Sequence, residues 1–348
     1  MARLWGTEIG KQIRKCVRMK RKIFIAGVWG AGNINIMEQV GKGDDIEFLR
    51  DDFRFAVQIR YVWKIINQKL GGYGSGVVRK FLRTSFFDRM YALSHCDFDN
   101  NEENDIVIFN SALLHYYTKE YFERLRQKYP NIRYILYIID PMPDGLWCEI
   151  EDAIGVFDEV MSMHPYNCKR YGFKYLPYVY EQPIVEEMDS DIEETELFYC
   201  GVLDDYRLKI IGGIAEQCEK YQIDFDFWLK PYGNNPIQNR NIHYAMISYE
   251  ENVQRLKKAT CILEIMHKGY VGITQRYLEA IVYNKRLLSN NQEIEELPYY
   301  NPRYMQYFEK VEDIDWDWLC SDEEVNYHYK SDFSARVWKE KLLGLLNE

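Results

Sequence analysis

Four closely spaced residues carry most of the chemistry legible in this chain: Gly272, Thr274, Arg276 and Glu279, within the run GITQRYLE. Glycine lets a bulky group approach the backbone, and threonine caps a helix with a hydroxyl that can also donate to phosphate. Arg276 puts a forked cation in the first helical turn. That is the wrong end for the helix dipole, which points to an anionic guest. Glu279 lies three residues further, on much the same face. A carboxylate there accepts from ribose hydroxyls, each charge-assisted bond contributing about 1.5–3 kcal/mol. The competing reading is a surface Arg276–Glu279 ion pair, worth well under about 1 kcal/mol.

The stretch that must position them runs from Cys261 to Asn291. Ile262, Leu263, Ile265 and Met266 form an apolar run that reads as a buried strand. A loop with Gly269 and Gly272 follows, then a helical segment from Thr274 to Tyr283, then a second strand from Arg286 to Ser289. Strand, glycine loop, helix, strand is the βαβ unit of a parallel sheet. Its loop and helix N-terminus bring backbone N–H groups to one point, where they attract anions.

The run G-x-T-x-R-x-x-E-A, followed by K-R-L-L-S-N-N, resembles the donor-site segment of GT-B type glycosyltransferases that build bacterial capsules and lipopolysaccharide. The resemblance implies diphosphate contacts for Gly272, Thr274 and Arg276 and a ribose contact for Glu279. Many retaining members carry a second glutamate eight residues before the first. Val271 stands there in this chain, which leaves the stereochemical course open. The likeness extends over 197–309 and, through DIVIFN, RYILYIID and FDEV…YG…YLP, into the N-terminal half. It implies transfer of a sugar from a nucleotide-diphosphate donor to a hydroxyl of a glycan or lipid-linked acceptor. Neither a metal nor a cofactor beyond the donor is expected.

Composition narrows the alternatives. With 348 residues and 47% hydrophobic content, the chain can bury one large core or two ordinary ones. No apolar run approaches the ~20 residues that span a bilayer, and the N-terminus lacks the apolar core of a signal peptide. Eight cysteines stand singly, with no C-x-x-C pair, and the six histidines are dispersed. That pattern suits free thiols in a reducing cytosol and offers no metal constellation. A net charge of −10 argues against nucleic acid as partner. Residues 1–22 nevertheless hold eight basic residues against Glu8, a net +7, with Leu4, Trp5, Ile9, Ile13, Cys16 and Val17 at three-to-four spacing. This is the pattern of a helix lying on an anionic membrane, here the inner face of the plasma membrane. A helix packed on its own domain, or a disordered tail, are the alternatives.

Taken in order, KIFIAG (22–27) is a first strand running into Gly27, Gly30 and Gly32, spaced G-x-x-G-x-G, with Asn33 and Asn35 beyond. The absence of G-x-G-x-x-G argues against an NAD-linked sugar-nucleotide oxidoreductase or epimerase. IEFLRD (46–51) reads as a second strand, and 52–93 as amphipathic helices rich in basic and aromatic residues, broken at GGYGSG. From 105 to 180 strands alternate with helices, which implies a parallel sheet. Asp140 ends one of those strands, where a base for the acceptor hydroxyl would lie, unless it is a turn residue capping the next helix. His115 is a second candidate. Residues 182–196 carry seven acids and no base, marking a linker between domain 22–181 and domain 197–330.

The second domain restarts the pattern. ELFYCGV (196–202) is a strand ending in a glycine turn at Gly201, a helix over 205–221 carries Arg207, and a strand over 224–230 ends at Lys230. All three share the sheet end of Gly272 and join the donor-binding set, with solvated charge as the plain reading of Arg207 and Lys230. The closing segment 331–348 contains an amphipathic helix over 334–346, which the resemblance expects to pack back on the first domain. The fold expected is α/β: two doubly wound, Rossmann-like parallel-sheet domains of GT-B type. A non-catalytic nucleotide-binding relative is the remaining rival.

Overall fold

The structure, a computed structural model, describes residues 22–27, 46–49, 106–115, 117–142, 145–180, 182, 191–230 and 237–347. The basic head, Gly30, Gly32, Asn33, Asn35, the stretch 52–93 and most of the acidic linker lie outside these residues. Among the described residues, no helix is long and apolar enough to cross a membrane.

Two parallel six-stranded sheets are present, as the alternation of elements predicts. The first contains β1 (Ile23–Ala26), β2 (Ile46–Leu49), β3 (Ile106–Asn110), β4 (Arg133–Ile138), β5 (Glu159–Ser162) and β6 (Lys174–Tyr175), ordered β2-β1-β3-β4-β5-β6. Helices α1 (Lys119–Lys128), α2 (Cys148–Ala153) and α3 (Pro165–Tyr171) connect its later strands. In the run KYLPYVY (174–180), only Lys174–Tyr175 pairs as a strand. Pro177 brings no N–H to a ladder, so pairing stops there.

The second sheet contains β7 (Thr195–Val202), β8 (Phe225–Lys230), β9 (Ile242–His243), β10 (Ala259–Glu264), β11 (Arg286–Ser289) and β12 (Met305–Tyr307), ordered β12-β11-β10-β7-β8-β9. Its helices are α4 (Asp205–Tyr221), α5 (Tyr249–Lys258) and α6 (Gln275–Val282), followed by α7 (Trp316–Leu319) and α8 (Ala335–Asn347). The short strands β9 and β12 escape the sequence pattern because too few residues pair to show a period. Strand β10 stops at Glu264, so Ile265 and Met266 belong to the following loop rather than to the strand.

Alternation along the central strands sends side chains to two cores. Leu197, Tyr199, Cys261 and Leu263 pack with Ile211, Ile214 and Cys218 of α4. Phe198, Ile262 and Leu287 pack on the other face with Leu278, Ile281 and Val282 of α6. Strands covered on both faces read as continuous apolar runs, which is why CILE and RLLS stand out in the sequence. Each fully buried aliphatic contributes about 1.5–3 kcal/mol.

The chain divides into two compact units. Of the described residues, one holds 22–27, 46–49, 106–115, 117–137 and 148–160; the other holds 138–142, 145–147 and everything from 161 onward. Asp140 and His164, at the carboxyl ends of β4 and β5, therefore belong to the same unit as the second sheet.

Candidate functional site

Strands β7 and β10 are neighbours although β8 and β9 lie between them in sequence. The sheet grows outward from β7 in one direction and from β10 in the other, so the connections leaving their carboxyl ends diverge. Such a switch point is where ligands sit in open α/β sheets. The residues there are Leu203 and Asp204 after β7 and the loop 265–274 after β10.

Within that loop, the Met266 N–H donates to Asn290 Oδ1 (2.7 Å) and the Tyr270 N–H to His267 O (2.9 Å). Thr274 caps α6, its Oγ1 accepting from the Tyr277 N–H at 3.2 Å. The N–H groups of Gly272, Ile273, Gln275 and Arg276 meet no acceptor among the described residues. Four unpartnered donors around one helix start are suited to an anion.

The loop is held from beneath. Glu264, 2% exposed at the end of β10, accepts from the Thr274 and Ser289 hydroxyls. Ser289 Oγ in turn accepts from the Asn291 N–H (3.0 Å), and Asn291 Nδ2 donates to Gly272 O (2.8 Å). Both ends of the Gly272–Thr274 turn are thus tied to the strand pair β10–β11. Thr274's hydroxyl proton goes to Glu264, which commits that side chain to capping and clamping. Burial raises the Glu264 pKa, against the opposing pull of Ser289, Thr274, Arg276 and Arg207. Gly272 has φ +109°, and a Cβ there would sit 2.6 Å from His164 Nδ1. Only glycine fits without displacement.

Arg276 and Glu279 form an ion pair, with Glu279 fully buried and 18% of the Arg276 side chain exposed. The surface-pair reading fails on that burial. Gln275 Nε2 donates to the other Glu279 oxygen at 3.1 Å. Burial raises the Glu279 pKa, while Arg276 and its other partners hold it down. Burial is the largest influence on Arg276 and opposes its charge, but Glu279 together with Cys200, Tyr180 and Tyr199 outweighs it and keeps the guanidinium protonated. Val271, at the position of the second family glutamate, is half-buried and apolar.

Arg207 stands in the first turn of α4 and donates from Nη1 to Val202 O (3.1 Å), leaving Nε buried without a partner. Both Arg207 and Arg276 act on buried Tyr199, whose pKa burial raises. Gly201 lies over that ring: a Cβ would meet Tyr199 Oη at 2.6 Å. Gly201, Arg207, Gly272, Thr274, Arg276 and Glu279 therefore gather at one sheet end. Lys230 ends β8 one strand away and is exposed.

Two groups at this end were not singled out in the sequence. Asp204 caps α4, accepting from the Arg207 N–H at 2.8 Å, and its second oxygen meets His267 Nδ1 at 2.7 Å. Burial alone would lift the Asp204 pKa, but those two partners outweigh it and hold the carboxyl below its usual range. An aspartate just before a helix, as in LDDYRL, is an available cue to the cap though not to its histidine. Glu264 had a cue as well, a lone acid closing an apolar strand.

Asp140 follows β4 and is half-buried, which raises its pKa. Its carbonyl accepts from Asn167 Nδ2 (2.9 Å), and Asn167 Nδ2 also reaches Ser162 Oγ (3.1 Å). His115 closes a 3₁₀ turn, Ser111–His115, after β3; its side chain is outside the described set. The histidine beside the loop is His164, 2% exposed, with Nε2 3.0 Å from Ile139 O and Nδ1 buried and unpartnered. Burial pushes its pKa down to about 4, so the ring is neutral at ordinary pH with the proton on Nε2. Among the described residues no three His, Cys, Asp or Glu side chains are grouped to hold a metal ion.

No family model matches the chain, and no curated protein matches it in sequence. Solved structures do. A sucrose-phosphate synthase from Thermosynechococcus elongatus is 10% identical over 94% of this chain and 98% of that one, with a TM-score of 0.55. An α,α-trehalose-phosphate synthase (UDP-forming) from Burkholderia vietnamiensis is 10% identical over 94% and 99%, with a TM-score of 0.52. A UDP-N-acetylglucosamine 2-epimerase is 12% identical over 94% and 98%, with a TM-score of 0.47. At such identities the likeness to the two synthases is one of fold, and that fold is the GT-B type: two Rossmann-like α/β domains.

Proposed function

We propose that this chain is a glycosyltransferase moving a sugar from a nucleotide-diphosphate donor to a hydroxyl of a cell-surface glycan precursor. The loop 265–274 supports the reading most, because unpartnered N–H groups and two guanidiniums converge there at a switch point. The diphosphate rests on the Gly272 and Ile273 N–H groups and the start of α6, with Gly201 at the same sheet end packed over Tyr199. Arg276 and Arg207 neutralise it, with Lys230 at the margin, so that neither a metal nor a further cofactor enters. Donors fixed in advance around developing charge are often the largest contribution to catalysis.

Glu279 is closed off by its own ion pair, so a ribose contact requires an exchange. As the diphosphate draws Arg276 away, the freed carboxylate accepts the ribose hydroxyls. In the transfer itself, the bond from the anomeric carbon to the diphosphate oxygen breaks with its electron pair on phosphate. The bond to the acceptor oxygen forms, and the acceptor proton passes to Asp140, whose raised pKa suits a base. The basic head 1–22 presents a lipid-linked acceptor at the inner face of the plasma membrane.

Thermal unfolding against uridine, guanosine, adenosine and cytidine diphosphates tests the reading. At a hundredfold excess over Kd, a ligand that binds only the folded state stabilises it by about 2.7 kcal/mol. One of the four is expected to raise Tm by several degrees. If none shifts Tm at millimolar concentration, this loop is not a nucleotide site.

A further inference from the structure

Asp204 follows β7 and His267 follows β10, so the pair bridges the two strands that define the switch point. One Asp204 oxygen is spent on the Arg207 N–H at 2.8 Å, and the other receives His267 Nδ1–H at 2.7 Å. The imidazole is clamped further by the edge of Tyr270, with centroids 5.6 Å apart at 62°, and by the Tyr270 N–H on His267 O at 2.9 Å. With Nδ1 committed, Nε2 is the nitrogen left to a guest, and the His267 side chain is 49% exposed. A ring whose tautomer and orientation are set by a carboxylate is built for proton traffic rather than for packing.

The surroundings define the guest. The charged and titratable groups facing the ring are Asp204, with Arg207 behind it from α4, and Tyr270 from its own loop. Unpartnered N–H groups of Gly272 and Ile273 lie further along the same loop. His164, the other histidine at this loop, is buried and carries only a lone pair toward Gly272, so it cannot answer an anion with charge.

We propose that His267, oriented by Asp204, is the titratable cation of this loop: it meets the diphosphate as an imidazolium and takes up a proton as the nucleotide binds. This rests on the donor-site reading above. The Nε2–H bond to a phosphoryl oxygen is charge-assisted, and it strengthens as the leaving group gains negative charge. His267 forms no covalent bond to the nucleotide; the only bond made is Nε2–H. The proton comes from solvent and returns there when the diphosphate leaves, which ties product release to pH through linkage.

The test is titration calorimetry of the full chain with uridine and guanosine diphosphate at about pH 7.5, in two buffers of different ionisation enthalpy. The nucleotide is then almost fully ionised, and the difference in observed enthalpy counts protons. The wild type is expected to take up a measurable fraction of a proton. His267→Gln is expected to take up none and to bind roughly tenfold more weakly or worse, at unchanged Tm. Asp204→Asn keeps a competent helix cap, so it should fold normally and show reduced uptake. Binding and uptake in His267→Gln equal to wild type would overturn the assignment while leaving the donor site standing. If neither diphosphate binds the wild type, and adenosine and cytidine diphosphates fail as well, the donor-site reading falls and this inference falls with it.

Discussion

Replacing Arg276 with alanine strands a carboxylate in the core. Glu279 is fully buried and would keep the Gln275 bond at 3.1 Å while losing the guanidinium opposite its other oxygen. Removing one partner of a buried pair typically costs about 3–5 kcal/mol. An independent bound comes from letting the carboxyl protonate instead. Starting from its ordinary pKa of 4.5, neutralising it at about pH 7.5 costs about 4 kcal/mol, at roughly 1.36 kcal/mol per unit. At about pH 5.5 the same step costs about 1.4 kcal/mol. The sign follows from linkage. In the variant the folded state holds this proton more tightly than the unfolded one, so stability lost at high pH returns as pH falls toward 4.5.

Urea denaturation at the two pH values is the assay. Arg276→Ala should lose about 3–4 kcal/mol at the higher pH and about half of that or less at the lower. Arg276→Ala with Glu279→Gln removes the stranded charge and should recover most of the loss. Compared with Glu279→Gln alone, which carries any loss at the ribose, the double variant then isolates the catalytic cation. If Arg276 meets the leaving diphosphate, it should lower kcat as well as kcat/KM in a protein of near-normal stability. A single variant within about 1 kcal/mol of wild type at both pH values would refute the burial argument, because that is how a solvated pair behaves.

Gly272→Ala forces a side chain onto a φ of +109° and onto His164 Nδ1; about 2–4 kcal/mol of destabilisation is expected from strain and displacement together. Adding His164→Ala should relieve the clash but not the strain, and a double-mutant cycle with no coupling would contradict the contact. Asp140→Asn should lower kcat by about 10²–10⁴-fold if Asp140 is the base. Because burial holds its folded pKa above the unfolded value, the charge costs stability at high pH. The asparagine variant should match or exceed wild type near pH 8 and lose that advantage as pH falls through the folded pKa. An unfolding profile with the opposite slope would exclude the raised pKa.

Features encoded between residues close in the chain could be read before folding. CILE and RLLS read as buried parallel strands because both faces are covered, and both strands form as expected. Thr274 announces a helix start because a hydroxyl can bond an N–H three residues on, and it does so. The doubly wound order follows from helices alternating with strands, since a parallel pair needs a crossover. Gly201, Arg207, Gly272, Arg276 and Glu279 could be assigned to one sheet end on that basis alone.

What only the tertiary structure decided is what happens between residues far apart. Whether Arg276–Glu279 is a surface pair or a buried one depends on the packing around α6, not on the spacing of three that both readings share. The Asp204–His267 bond joins residues 63 apart and exists because β7 and β10 are neighbours at the switch point. Gly272 looked permissive for a guest's approach, yet its absent Cβ is also the space that His164 fills from 108 positions away. Glu264 became a clamp only when Ser289 and Thr274 reached it from two different elements. Periodicity reports which face of an element is covered; hydrogen bonds and ion pairs reach a few ångströms, so the chain must fold before their partners are defined.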